Sequence, residues 1–177
     1  MRTHRPYEIR EYDPKWKDLF FEYAEAIRPI FGNNLIAIEH MGSTSIEGMV
    51  GKPQIDILVI VKDLSKVKEQ YEEFRLAGFT PQGTEYVGIG DEYFTKDDLN
   101  GMRLAGVHTF QEGHPEIAET LLFRDYLRSN KEDRDLYIDT KRNLYAEHKD
   151  NYNGYDSGKK NIINEIKFRA KEWLKNI

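Results

Sequence analysis

Two short stretches hold residue types able to do chemistry. The first is Gly42-Ser43-Thr44-Ser45. Glycine lets a backbone approach a ligand closely, hydroxyls supply hydrogen bonds, and successive backbone N–H groups can form a concave nest for an anion. Alone, such a run is more often a loop with a helix cap. The second is Asp56, set within Gln54-Ile55-Asp56-Ile57-Leu58-Val59. Burying an unpaired carboxylate is costly, so a chain keeps one there when it is paired, binds a metal, or opens onto a cleft. Its ordinary structural alternative is an ion pair with Lys52 or an arginine.

The elements that must position these residues are legible. Residues 35–41 read as a strand that delivers the chain into a small-residue loop at 42–51. Pro53 closes the loop, and residues 54–61 read as a second strand. Its apolar run from Ile55 to Val61 predicts a central strand covered on both faces. Ahead of them, Asp13 caps a helix that Pro14 opens. Trp16, Leu19, Phe20, Tyr23, Ile27, Ile30 and Phe31 fall on one face of that helix. Pro29 is expected to kink it or end it early, before the stop at Gly32-Asn33-Asn34.

Beyond the second strand, residues 64–77 read as a helix stopped by Gly78. Residues 79–90, 92–94 and 101–110 read as strands. Three helices are expected over 116–128 (behind Pro115), 131–148 and 158–176, the last with Ile162, Ile163, Ile166, Ala170, Trp173 and Leu174 on one face. The pattern predicts an α/β (α+β) fold: a mixed sheet with flanking helices and a helical C-terminal third, as one domain over residues 1–177.

Composition narrows the function classes. The 177 residues carry a formal net charge of −5 and no cysteine. Disulfide and thiol chemistry are excluded, and a reducing, cytoplasmic setting is expected. The longest strongly apolar run, Ile57 to Val61, falls far short of the roughly 20 residues a membrane helix needs. An acidic chain is a poor general nucleic-acid binder, because phosphate neutralisation supplies most of that affinity. A small basic pocket is still allowed, since its field is local.

Together, a strand, a Gly-Ser pair, a short segment and an acid on an apolar strand resemble the nucleotidyltransferase signature. More specifically, EHMGSTSIEGMVGKPQIDILV resembles the central motif of the GrpB family, a largely uncharacterised branch of that superfamily. Similarity extends to Asp13-Pro14 with Trp16 and Phe20, to Arg103 with His108, to Gly113-His114-Pro115, to Phe123-Arg124-Asp125-Tyr126-Leu127-Arg128, and to Tyr155 with Lys159. The resemblance implies that Gly42, Ser43, Thr44 and Ser45 hold phosphate and that Asp56 holds Mg²⁺. In an enzyme of this kind Lys52 and Arg103 are expected to contact phosphate and neutralise charge that develops in the transition state, with a solvated side chain the default for Lys52, and His108 is expected to act as a general base or additional ligand. Fusion of the family to dephospho-coenzyme A kinase implies a link to coenzyme A metabolism.

The pattern also departs from that signature. Active members carry two carboxylates two residues apart, on one side of a strand. Here Gln54 and Leu58 flank Asp56, and Glu39 or Glu112 is the candidate for a second ligand. Position 47 is Glu where proline is usual in the family. His40 is either a base or a structural histidine, and His114 is expected to form local turn structure. Arg124 and Arg128 lie on one helix face, where ion pairs with neighbouring helices are expected. Two functions follow. One is a Mg²⁺-dependent transfer of a nucleotidyl or other phosphate-linked group. The other is a non-catalytic nucleotide- or phosphate-binding module with a regulatory or chaperone-like role toward a protein partner.

Overall fold

The computed structural model describes residues 7–82 and 92–176. The first helix, α1 (Lys15–Phe31), starts where the Asp13 side chain accepts the Lys15 N–H at 3.0 Å. Pro29 neither ends nor shortens it. Only one further turn would depend on the missing hydrogen bond, and buried Ile27 and Phe31 fix the helix end in the core.

Strands β1 (Leu35–Met41), β2 (Ile55–Val61), β3 (Thr80–Pro81), β4 (Glu92–Asp97) and β5 (Arg103–Gln111) form one sheet in the order β1-β2-β5-β4-β3. β2 and β5 are parallel, and the other pairs are antiparallel. β2 is therefore interior, with β1 as a neighbour, as its apolar run predicts. The helix expected over 64–77 divides into a 3₁₀ segment, Leu64–Gln70, and a short α2, Tyr71–Leu76. Of the strand expected over 79–90, Thr80–Pro81 is a strand, and residues 83–90 lie outside the described residues.

The final third holds four helices rather than three: α3 (Pro115–Ser129), α4 (Lys131–Glu147), α5 (Tyr152–Gly158) and α6 (Lys160–Leu174). α5 escaped the sequence pattern because it is seven residues long and carries Gly154 and Gly158, weak helix formers. It is held at its start by Asn151, whose side chain accepts the Gly154 N–H at 3.0 Å. Among the described residues no helix is long and apolar enough to cross a membrane.

Strand alternation sorts the sheet into two faces. Ile55, Ile57, Val59 and Val61 pack with Ala105, Val107 and Phe94 against α1 and α2. Asp56 and Leu58 point to the other face, where Met41, Leu58 and Phe110 meet Ile117 and Leu121 of α3. The helical third has its own core, and that core is not closed by the sheet. Tyr126, Leu127, Tyr137, Ile138, Ile162 and Ile166 close instead on Ile46, Met49 and Val50 of the loop between β1 and β2. This loop thus belongs to both halves of the molecule. Met49→Ala, at a fully buried position, is expected to cost about 2–5 kcal/mol, read from the midpoint of urea unfolding.

Candidate functional site

Gly42 and Asp56 are in contact at the foot of β1 and β2. Met41 is the register partner of Asp56, so the chain leaves β1 directly above the carboxylate. Gly42 has φ +71°, and a Cβ there would stand 2.7 Å from Asp56 Oδ2. Only glycine satisfies both conditions. The other carboxylate oxygen, Oδ1, accepts a hydrogen bond from the Gln54 amide. Gln54, one of the two same-face neighbours at which a second carboxylate is absent, therefore holds Asp56 in place.

Ser43 turns toward the helical third. Its Oγ accepts a hydrogen bond of 2.6 Å from the ammonium of Lys141 on α4, which also donates to the Val50 carbonyl at 2.7 Å. The Tyr137 ring lies 4.3 Å beneath the same ammonium. Lys141 is 2% exposed, and among the described residues no carboxylate partners it. Burial, then Lys159 and Lys52, push its pKa well down. Two more ammonium groups thus share its field. Lys52 donates to Tyr152 Oη at 2.8 Å, and Lys159 pairs with Asp156 at 2.9 Å over the Tyr155 ring. Gly51 admits this packing, because a Cβ there would meet Ser43 Cβ at 2.7 Å.

His108 lies on the same face as Asp56, since Gly106 pairs with Asp56 and His108 with Leu58. Burial depresses its pKa; Asp56 pulls the other way, and Arg103 adds to the depression. Its ring tilts against Tyr93, with centroids 4.5 Å apart. The Tyr93 hydroxyl accepts from Arg103 Nη1 at 3.1 Å, and Arg103 also pairs with Asp97. Arg103 thus stands beside His108, held in an ion pair, rather than extended as a free phosphate clamp.

Several expected ligands are placed elsewhere. Thr44 is buried, and its hydroxyl donates to the Gln54 carbonyl at 3.2 Å. Ser45 Oγ donates to the Gly42 carbonyl at 2.7 Å, and its own carbonyl accepts from Arg128. Within the 42–45 run, Gly42 and Ser43 adjoin Asp56 and Lys141, whereas the hydroxyls of Thr44 and Ser45 are spent on the backbone. Glu112 follows the end of β5, where its N–H bonds the Val61 carbonyl. Five residues of strand separate that point from Asp56, roughly 16 Å at strand rise, so Glu112 is no second ligand. Glu39 is taken by Arg124 at 2.9 Å. His114 caps α3, its Nδ1 accepting the Glu116 N–H at 3.2 Å. Arg124 and Arg128 reach β1 and the loop, not neighbouring helices, while both also contact Asp125 of their own helix.

Two residues here were not singled out from sequence. Lys141 had a signal: it follows buried Tyr137 and Ile138 by four and three residues, which puts a charge on the apolar stripe of α4. Tyr93 had none, because its place beside His108 depends on the pairing of β4 with β5.

This fold, with an acid on an interior strand beneath a Gly-Ser turn, defines a nucleotidyltransferase-like α/β protein. The Cid1 poly(U) polymerase shares the fold, with a TM-score of 0.54 at 16% identity over 79% of this chain and 43% of that one. The family described as GrpB protein matches residues 6–169, and the chain belongs to the GrpB family. GrpB from Enterococcus faecalis superposes with a TM-score of 0.87 at 34% identity, covering 94% of this chain and 99% of that one. The UPF0157 protein YqkA of Bacillus subtilis is 39% identical over 97% of this chain. The chain spans about half of that relative's length, 49%. A dephospho-CoA kinase of Mycobacterium bovis is 25% identical over 77% of this chain and 39% of its own length.

His40 is structural. Its ring stacks on Phe20 at 4.7 Å, and its Nε2 lies 3.0 Å from Thr44 Oγ1. Because the Thr44 hydrogen goes to a carbonyl, Nε2 must be the protonated nitrogen. Burial, then Arg128 and Arg124, lower its pKa to about 4. The folded state therefore resists protonation that the unfolded chain accepts from about pH 6.5 downward. This contribution is complete above pH 6.5 and is lost as pH falls toward 4, up to about 3 kcal/mol. Urea unfolding at pH 7.5 and 4.5 should show a larger drop for the wild type than for His40→Gln.

Proposed function

We propose that the Gly42-Ser43 turn, with Asp56 and Lys141 behind it, binds the phosphates of a nucleoside triphosphate. The observation that carries this is Lys141. An ammonium buried without a carboxylate, with two further lysines acting on it, is a site completed by an anion. The fold supports the same reading, and Cid1, which shares it, has been solved with MgATP and with the UTP analog UMPNPP.

The donor set limits the metal. Among the described residues no group of three or more His, Cys, Asp or Glu is placed to hold an ion. Such a set does not fit a two-metal centre. Asp56 does fit a single Mg²⁺ whose shell is completed by phosphate oxygens and water. That ion would neutralise and orient the phosphates.

The chain's own residues supply the rest. Ser43 accepts from Lys141, which leaves its own hydrogen to donate to a phosphate oxygen. Lys141 is fixed by three contacts, so it is a pre-placed donor needing no reorganisation, and a bound anion would favour its charged form. Lys52, Gln54 and Arg103 line a cavity of about 280 Å³ that would suit an acceptor. His108, kept neutral by burial, can take a proton from an attacking hydroxyl. One observation favours a second reading, a phosphate-binding module without chemistry: the same-face neighbours of Asp56 are Gln54 and Leu58, neither of them a carboxylate.

Thermal unfolding with ATP and Mg²⁺ tests the site. Ligand at 100 times its dissociation constant adds about 2.7 kcal/mol, roughly 5–10 °C for a chain of this size. Asp56→Asn should lose the Mg²⁺-dependent part, Ser43→Ala should weaken binding, and Lys141→Met should abolish it. No shift with any nucleoside triphosphate would overturn the proposal. Pyrophosphate release then separates the two readings. Dephospho-coenzyme A is the first acceptor to offer, given the kinase relatives. Turnover lost in His108→Asn marks an enzyme, and binding without turnover marks a module.

A further inference from the structure

A second cavity, of about 450 Å³, opens on the other side of the 42–45 turn and wraps the outer edge of β1. None of Asp56, His108, Ser43, Lys52 or Lys141 lines it. Thr44 and Ser45, the two loop residues turned away from Asp56, do.

Its surface has two components. One is aromatic. Phe20 and the neutral imidazole of His40 are parallel, 3° apart, and Phe21 stands beside Phe20 with 53% of its surface exposed. The other is cationic. Lys17, Arg124, Arg128 and Arg134 line the cavity, against the carboxylates of Glu39 and Glu47.

The arginines are built in rather than loosely displayed. Arg124 is held by Glu39, Asp125 and the His40 carbonyl. Arg128 bonds the Ser45 carbonyl through Nε at 3.1 Å and Nη2 at 2.7 Å, and it contacts Asp125 at 3.3 Å. Arg134 is braced by the carbonyls of Leu127 and Arg128. Carbonyl partners fix an arginine without neutralising it. Glu39, Glu47 and Asp125 offset part of the charge of the four cations, and a net positive charge remains beside the aromatic surface. Lys17, exposed on α1, has no ion-pair partner among the described residues.

We infer that this cavity is a second binding site, for a small aromatic anion whose ring packs on the Phe20–His40–Phe21 surface and whose phosphate or carboxylate faces Arg128, Arg134 and Lys17. A planar ring suits an aromatic wall, and an anion suits fixed guanidinium groups. The occupant is separate from any ligand of the Asp56 cleft and touches the opposite side of the same turn.

Phenyl phosphate is the probe, titrated into the intact isotope-labelled protein while the His40 ring resonances are followed. Saturable shifts are expected, with inorganic phosphate and phenol each binding at least tenfold more weakly. Arg128→Gln and, separately, Lys17→Gln should each weaken phenyl phosphate binding severalfold. Lys17 is exposed, so its replacement tests charge without touching the fold. The His108 ring resonances, on the Asp56 side of the turn, should stay unmoved through the same titration. Unmoved His40 resonances, wild-type affinity in both charge variants, or saturable shifts of His108 would each overturn the proposal, the last by placing the probe beside Asp56.

Discussion

A lysine ammonium buried without a counter-ion is the constraint on which the rest of the structure depends. Isolated charges are expensive to take out of water, and here the cost is met by contacts that reach across the whole chain. Lys141 bonds a serine 98 residues earlier and a carbonyl 91 residues earlier. These two acceptors lie at opposite ends of the loop between β1 and β2. The loop's shape is thus set by α4, and the helical third packs its apolar core on the loop for the same reason. Moving Lys141 would disturb the turn over Asp56 and the docking of four helices together.

Much of this was legible in the sequence. The apolar run of β2 revealed an interior strand, and the Gly-Ser turn before it revealed where the chain must bend over Asp56. Period-two alternation placed Gln54, Asp56 and Leu58 on one face. What sequence could not supply was non-local. The register of β2 on β5 decides that His108 is near Asp56 and that Glu112 is at the far end. Hydroxyls in a Gly-Ser-Thr-Ser run look equivalent as letters. Once folded, the Thr44 hydroxyl is spent on the Gln54 backbone, that of Ser45 on Gly42, and only that of Ser43 meets the lysine. Pro29 is a different case: the local rule was sound, but burial of Ile27 and Phe31 outweighed it.

Gln54 changes what Asp56 can do. Two carboxylates at this spacing would repel each other unless cations sat between them. An amide donates instead, so Asp56 is held in one orientation with no metal needed to keep it there. The cations of the cleft lie on the helical side, and the acid lies on the sheet side.

The guanidinium of Arg124 has a consequence beyond either cavity. β1 is an edge strand, and edge strands present unpaired backbone groups that can template pairing with another chain. The His40 carbonyl faces outward from that edge and is already taken by Arg124 at 3.0 Å. The same guanidinium pairs with Glu39 and Asp125, so an incoming strand would have to compete with all three contacts. One acceptor of the β1 edge is thereby withheld from any incoming strand.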